Sequence, residues 1–234
     1  MGPILPLQVV FAWVSFYRKC RELGVFGAST LQYPRERLHP IEAQAAYLFR
    51  DGEQLAPEWR ATLQQMNSGD CYISAGVLAF LLARMGYQAY VCSNTSHAFV
   101  ELSGVAETRD EPLYLDSAGT YRDSKDLMGQ DSDPVQRLYG GTAAEIRQGM
   151  LDHEGPDHLG LAVVSAFCAS LGVCLDVPDF EVDTKDDHLW VNQVKGALPF
   201  VRHLFDRSQY RREDELSELG RYVTNIRQAL EEHK

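Results

Sequence analysis

Basic residues are scarce in this chain. Its 234 residues include 22 Lys and Arg against 33 Asp and Glu, which gives a formal net charge of −11 at pH 7. A protein that binds nucleic acid or an anionic membrane needs a surface that attracts phosphate, so this balance disfavours both kinds of partner. Apolar residues at 45% and charged residues at 24% are nevertheless ordinary for a globular protein. We therefore expect one large globular domain or two small ones.

Cysteine motifs and long hydrophobic runs are also missing. The five cysteines are dispersed and form no CxxC pair, which excludes a zinc ribbon or a thioredoxin-like motif. An odd, dispersed set favours a reducing compartment over a disulfide framework. The longest apolar stretch, residues 4–17, is too short to span a bilayer and lacks the features of a secretory signal. We expect a buried helix there and a cytoplasmic protein, although an effector injected into a host cell would look the same.

Hydrophobic periodicity predicts a mixed first part and a helical second part. Helices are predicted over residues 7–23, 40–50, 57–66 and 70–85, and strands over residues 87–93, 96–103 and 113–117. Residues 119–135 are polar and predict a long loop. Further helices are predicted over residues 142–153, 158–172, 190–206 and 213–232. The fold class is therefore α+β, with helices packed on a small antiparallel sheet in residues 1–130. Residues 131–234 are expected to form a mainly helical region, packed on that core as one domain.

Cys71 stands where a thiolate is favoured. It follows Asp70 in the first turn of the helix predicted over residues 70–85, with Ser68 or Asp70 as the expected N-cap. The unsatisfied N–H groups and the partial positive charge of a helix start both favour an anion, and so favour thiolate over thiol. Cys71 shares a helix face with Ala75 and Leu78, so we expect its side chain to point towards the sheet.

His97 and Asp116 can supply what such a nucleophile needs. A thiolate needs a base that returns a proton to the leaving group, and that imidazole needs an acceptor that fixes its tautomer. His97 opens the second predicted strand, and Asp116 ends the third. If the two strands are antiparallel neighbours, these residues can lie directly opposite each other, with Cβ atoms about 5 Å apart. The structural alternatives are a strand histidine bonded to backbone and a turn aspartate.

An acyl-transfer site also needs hydrogen-bond donors for an oxyanion. The backbone N–H of Cys71 is one candidate. Gln65, which precedes Cys71 by six residues, is another, with Gln64 and Asn67 as rivals. The HExxH pattern of zinc peptidases does not occur, and no motif implies a metal or an organic cofactor. We therefore predict a site that uses neither.

The chain resembles a known family over residues 65–118. The stretch GDCYISAGVLAFLLARMGYQAYVCSNTSHAFVELS and the following LYLDS are similar to the transglutaminase-like (papain-like) cysteine enzymes. In that superfamily Gly-x-Cys opens a helix, and His-Ala-aromatic-Val-Glu and Leu-Asp follow on the next two strands. The resemblance implies a transglutaminase/papain-like core, with Cys71 as nucleophile, His97 as acid/base and Asp116 as its orienting partner. Phe99 stands where Trp is commoner, and the C-terminal half departs from the family pattern.

These residues predict a thiol-dependent enzyme that cleaves an amide through a Cys71 thioester. With water as acceptor it would be a peptidase, an amidase or a protein glutamine deamidase, and with an amine it would be a transglutaminase. We favour hydrolysis of a protein or peptide, because water is always present. The alternatives are a non-catalytic binding module on the same scaffold, and a helical module in residues 135–234 that binds a partner or oligomerises. The sequence leaves the oligomeric state open.

Overall fold

The computed structural model describes most, but not all, of the chain. It covers residues 4–22, 70–94, 97–105, 111–128, 134–152 and 213–233, with short stretches between residues 50 and 66 and between 164 and 171. The helix predicted over residues 190–206 lies outside the described residues. So does the helix predicted over residues 40–50, except for its last residue, which is extended and not helical.

Helices separate groups of strands along the described residues. The helices are α1 (Leu5–Glu22), α2 (Cys71–Arg84), α3 (Ser124–Met128), α4 (Ala143–Asp152) and α5 (Glu213–Glu232). The strands are β1 (Arg50–Asp51), β2 (Gln54–Leu55), β3 (Gln88–Ser93), β4 (Ala98–Ser103), β5 (Leu113–Asp116), β6 (Gly119–Tyr121) and β7 (Gln136–Gly141). Strands β3 to β7 form one antiparallel sheet in the order β6-β5-β4-β3-β7, whereas β1 and β2 pair only with each other. The α+β class is therefore confirmed, as is the C-terminal helix.

The sheet is larger than the sequence predicted. The long loop expected over residues 119–135 is wrong, because this segment contains β6 and α3. Strand β7 follows and pairs with β3 at the edge of the sheet. Its burial does not alternate, since the first two residues are exposed and the other four half-buried. A strand without alternating burial gives no period-two signal in the sequence. The boundary between residues 130 and 131 stays a prediction, although β7 and α4 both follow it.

Helix α1 is the apolar stretch predicted as a buried helix, and the structure confirms it. Most of its residues are buried, including the aromatic side chains of Phe11, Trp13 and Tyr17. The helix packs against both α2 and α5. Phe11 lies 6.0 Å from Tyr222 of α5 between ring centroids, and the Asn225 amide donates a hydrogen bond of 2.9 Å to Gln8. None of the helices in the described ranges combines the length and the hydropathy needed to cross a bilayer.

Helix α2 lies on one face of the sheet, where it contacts β3 and β4. It ends as predicted at Gly86, which adopts a φ of +88°. The Gly86 N–H donates to the Ala83 carbonyl and the Tyr87 N–H to the Leu82 carbonyl, both at 3.1 Å, which is the Schellman arrangement. Phe99 contributes to a second, smaller cluster of buried side chains, with Cys92, Tyr121 and Leu127.

Candidate active site

Cys71 is the first residue of α2, as its sequence context predicted. The first hydrogen bond of the helix runs from the Ser74 N–H to the Asp70 carbonyl at 2.9 Å. Cys71 itself is 8% exposed. Asp70 occupies the N-cap position, but its side chain makes no capping hydrogen bond. The prediction of Asp70 as the N-cap residue is therefore confirmed in position, but its side chain does not cap the helix, and Ser68 lies outside the described residues.

His97 is held by the turn that joins β3 to β4. Its backbone N–H donates to the Asn94 side-chain oxygen at 2.7 Å, and the Asn94 N–H donates back to the His97 carbonyl at 3.0 Å. The imidazole stacks on Phe99 with 6.1 Å between ring centroids. Sequence reasoning missed Asn94, although an asparagine between two strands is a common turn residue. Asn94 therefore fixes the backbone position from which the His97 side chain extends.

His97 and Asp116 form a buried pair. The Nε2 atom of His97 lies 2.9 Å from Oδ2 of Asp116, and both side chains are almost fully inaccessible. The second carboxylate oxygen, Oδ1, accepts the Ala118 N–H at 2.7 Å. Asp116 is therefore both a turn residue and the partner of the imidazole, which the sequence presented as alternatives. Oδ1 of Asp116 accepts a hydrogen bond from the backbone, and Oδ2 interacts with His97.

The two residues are not directly opposite each other, so that prediction is wrong. Val100 pairs with Leu115, and continuing this register places Asp116 opposite Phe99. His97 lies two positions before Phe99, which makes the contact diagonal. Diagonal neighbours are about 7–8 Å apart at the backbone, and an aromatic ring can span that distance. His97 and Asp116 therefore meet because the imidazole is long enough to reach diagonally across the two strands, although the two residues are not directly paired.

Charge around the imidazole opposes the effect of its burial. Burial lowers the pKa of His97, but the hydrogen bond to Asp116 and its charge, together with the nearby Cys71, raise it from 6.5 to about 9. These neighbours therefore favour the protonated form of the imidazole. Because Nε2 faces Asp116, the nitrogen left for Cys71 is Nδ1. The structure thus brings Cys71, His97 and Asp116 together.

Gln65 lies in a hydrogen-bonded cluster next to the start of α2, which we call the α1 clamp: Tyr17, Arg21, Gln65 and Asp70. Arg21 Nε donates to Gln65 Oε1 at 2.9 Å, and the Tyr17 hydroxyl donates to the Asp70 carboxylate. Gln65 also hydrogen-bonds to the side chains of Tyr17 and Asp70. Its rivals as oxyanion donor, Gln64 and Asn67, lie outside the described residues. The clamp ties α1 to the residue that precedes Cys71.

The other described thiols have different surroundings. Burial and the nearby Glu101 carboxylate, 4.0 Å from the sulfur, raise the pKa of Cys92 to about 12. Burial alone raises the pKa of Cys20 to about 12 as well. The Glu101 carboxylate forms an ion pair with Arg137. Among the described residues no group of three or more His, Cys, Asp or Glu side chains is placed to hold a metal ion.

Comparison of the chain with known protein families, with curated proteins and with solved structures found no match. The likeness to the transglutaminase-like enzymes therefore rests on the residues quoted above.

Proposed function

We propose that this chain is a transglutaminase-like cysteine enzyme that hydrolyses amide bonds in a protein or peptide. The observation that carries the proposal is a single buried imidazole with two partners. Its Nε2 faces the Asp116 carboxylate at 2.9 Å, and it lies close enough to Cys71, the first residue of a helix, to interact with it. A protonated imidazole at that place stabilises a neighbouring thiolate.

The reaction begins when the Cys71 sulfur attacks the amide carbon and forms a C–S bond. The carbonyl π electrons move to oxygen, and the oxyanion is stabilised by the Cys71 N–H, which has no acceptor within its own helix. Gln65 is the second proposed donor: Arg21 holds its oxygen, and one of the two hydrogen bonds that its NH2 group makes to Tyr17 and Asp70 would have to pass to the oxyanion. Collapse of this intermediate breaks the C–N bond, and His97 Nδ1 gives its proton to the departing amine.

Water then resolves the thioester. His97, now neutral, takes a proton from the water as its oxygen attacks the thioester carbon. The second intermediate collapses, the C–S bond breaks, and the product is a carboxylic acid. His97 ends protonated beside the thiolate, which restores the starting state. Asp116 keeps the Nε2 proton in place throughout and stabilises the imidazolium.

Alkylation of Cys71 at mildly acidic pH tests this proposal. An ordinary thiol is almost entirely protonated there, whereas an ion-paired thiolate still reacts. We expect iodoacetamide to label Cys71 at least about tenfold faster than a model thiol. Peptide mass spectrometry identifies which cysteine has reacted. Cys20 and Cys92 serve as internal controls, because their raised pKa values should keep them nearly inert.

His97→Ala separates an enzyme from a binding module on the same scaffold. In an enzyme the substitution should slow the labelling of Cys71, since the imidazolium that stabilises the thiolate is gone. Unchanged labelling would indicate an uncoupled triad and contradict the proposal, as would a Cys71 that labels no faster than a model thiol. Incubation with glutamine-containing peptides, with and without a small primary amine, then distinguishes peptide cleavage, deamidation and amine transfer by product mass.

A further inference from the structure

The Asp70 carboxylate is turned away from the helix that it precedes. An aspartate at the N-cap normally accepts a hydrogen bond from the N–H groups two or three residues further on, which satisfies the start of the helix. Asp70 has the residue type and the position for this bond, yet its side chain makes none. Its carboxylate instead accepts the Tyr17 hydroxyl, from a residue 53 positions away in the chain.

Two members of the α1 clamp hold the carboxylate there. Tyr17 is fully buried in α1, so its hydroxyl is fixed by the packing of its ring. Gln65 hydrogen-bonds to the same carboxylate, and Arg21 orients the Gln65 amide. Burial raises the pKa of Asp70, while these two hydrogen bonds lower it and so support the charged form. Burial makes a charged carboxylate costly beside Cys71, and these two hydrogen bonds offset part of that cost.

This arrangement matters if Cys71 works as an anion. A capping carboxylate would occupy N–H groups in the first turn of α2 and add a negative charge beside the sulfur. Both effects would disfavour a thiolate and an oxyanion at the same place. We propose that Tyr17 and Asp70 are positioning residues. Tyr17 holds the Asp70 carboxylate away from the start of α2, so that the N–H groups of the first turn stay available to the reacting groups. This inference rests on the proposed function.

The test compares alkylation of Cys71 by iodoacetamide in four proteins across a pH series: the wild type, Tyr17→Phe, Asp70→Ala and the double variant. Phenylalanine fills the ring site and removes only the hydroxyl. In Tyr17→Phe the released carboxylate should rotate to cap α2, and labelling at neutral pH should slow by about tenfold. Asp70→Ala carries no carboxylate and should label within about twofold to threefold of the wild type.

The double variant gives the decisive result. Tyr17→Phe/Asp70→Ala lacks the carboxylate that Tyr17 restrains, so labelling should return towards the wild-type rate. A purely structural role for the Tyr17 hydroxyl predicts the opposite, because the double variant would then be as slow as Tyr17→Phe or slower. That outcome, or an unchanged rate in Tyr17→Phe, overturns the inference.

Gln65→Leu provides a second route if Tyr17→Phe does not fold, as judged by circular dichroism. It removes the other hydrogen bond to the carboxylate, and alkylation forms no oxyanion, so a proposed oxyanion role of Gln65 does not affect this readout. We expect slower labelling in Gln65→Leu and recovery in Gln65→Leu/Asp70→Ala. Wild-type Cys71 is the reference for the proposed function itself. Slow wild-type labelling would refute that function, whereas fast labelling that ignores Tyr17 and Gln65 would refute only this inference.

Discussion

Replacing Asp116 with Asn should disable His97 while leaving the fold in place. In the native protein Oδ1 accepts the Ala118 N–H at 2.7 Å, and Oδ2 faces His97 Nε2 at 2.9 Å. An asparagine oxygen would keep the bond to the Ala118 N–H, so its NH2 group would face the imidazole. The imidazole must then present the Nε2 lone pair to that group and carry its proton on Nδ1. That is the wrong tautomer for a base acting on the Cys71 side.

The size of the effect follows from the pKa of His97. The rise from 6.5 to about 9 corresponds to about 3 kcal/mol in favour of the imidazolium, and the hydrogen bond to Asp116 is the largest cause that raises the pKa. Without it, burial is opposed only by Cys71, so we expect the pKa to fall well below 9. We expect amide turnover to fall by about 10²- to 10⁴-fold, because both the tautomer and the stabilised cation are lost.

Two measurements check this prediction. Titration of the His97 ring by NMR gives its pKa, and the rate of Cys71 alkylation at neutral pH reports the loss of the ion pair. Asp123→Asn is the matched control, because Asp123 Oδ1 accepts the Lys125 N–H at 2.9 Å in the same kind of turn on the exposed surface. That variant should leave both measurements unchanged. If His97 in Asp116→Asn still titrates near 9, with Cys71 alkylated as fast as in Asp123→Asn, the reasoning is refuted.

Three further predictions concern the oxyanion, the pH dependence of stability and the end of α2. Gln65→Ala should lower amide turnover by about 10²-fold or more but slow alkylation by about tenfold at most, and equal losses in both assays would remove Gln65 from the oxyanion site. The folded state raises the pKa of His97 above 6.5, so its contribution to the free energy of unfolding is complete below pH 6.5 and is lost as the pH rises through about 9. Urea denaturation of the wild type against His97→Gln should show this loss, and a difference that stays constant across the window would contradict it. Gly86→Ala should destabilise the protein more than the control Gly104→Ala, because both glycines have a positive φ but only at Gly86 would a Cβ meet a neighbour, the His233 ring at 2.6 Å, and displace that ring from the Ala229 carbonyl 3.0 Å away. Thermal denaturation measures both variants, and equal melting temperatures would contradict the prediction.

The parts of the fold that could be predicted have strong local signals. Helix α2 carries apolar residues at helical spacing and a glycine at its end, and the strands after it alternate clearly. Helix α5 was predicted over residues 213–232, the span that the structure has. Strand β6 has three residues and β7 lies at an edge, so neither has a pattern that differs from a loop.

The sequence was enough to predict which residues form the candidate site, but not which atoms of those residues contact each other. The chemistry of a nucleophile, a base and an acceptor points to Cys71, His97 and Asp116, and the alternation of the strands indicates the faces on which His97 and Asp116 lie. The pairing register depends on the connection between β4 and β5, which carries no register signal, so the direct opposition of His97 and Asp116 was wrong. The orientation of Asp70 depends on Tyr17, which is too distant in the chain for any local pattern to reveal.

The packing of α5 on α1 has a consequence for how the chain folds. The hydrogen bond between Asn225 and Gln8 joins residues 217 positions apart, so α1 is synthesised long before the helix that covers it. Chains grow at about 5–20 residues per second, and an apolar surface without its partner is prone to aggregation during that time. We therefore expect α1 to reach its full packing only after α5 has been synthesised.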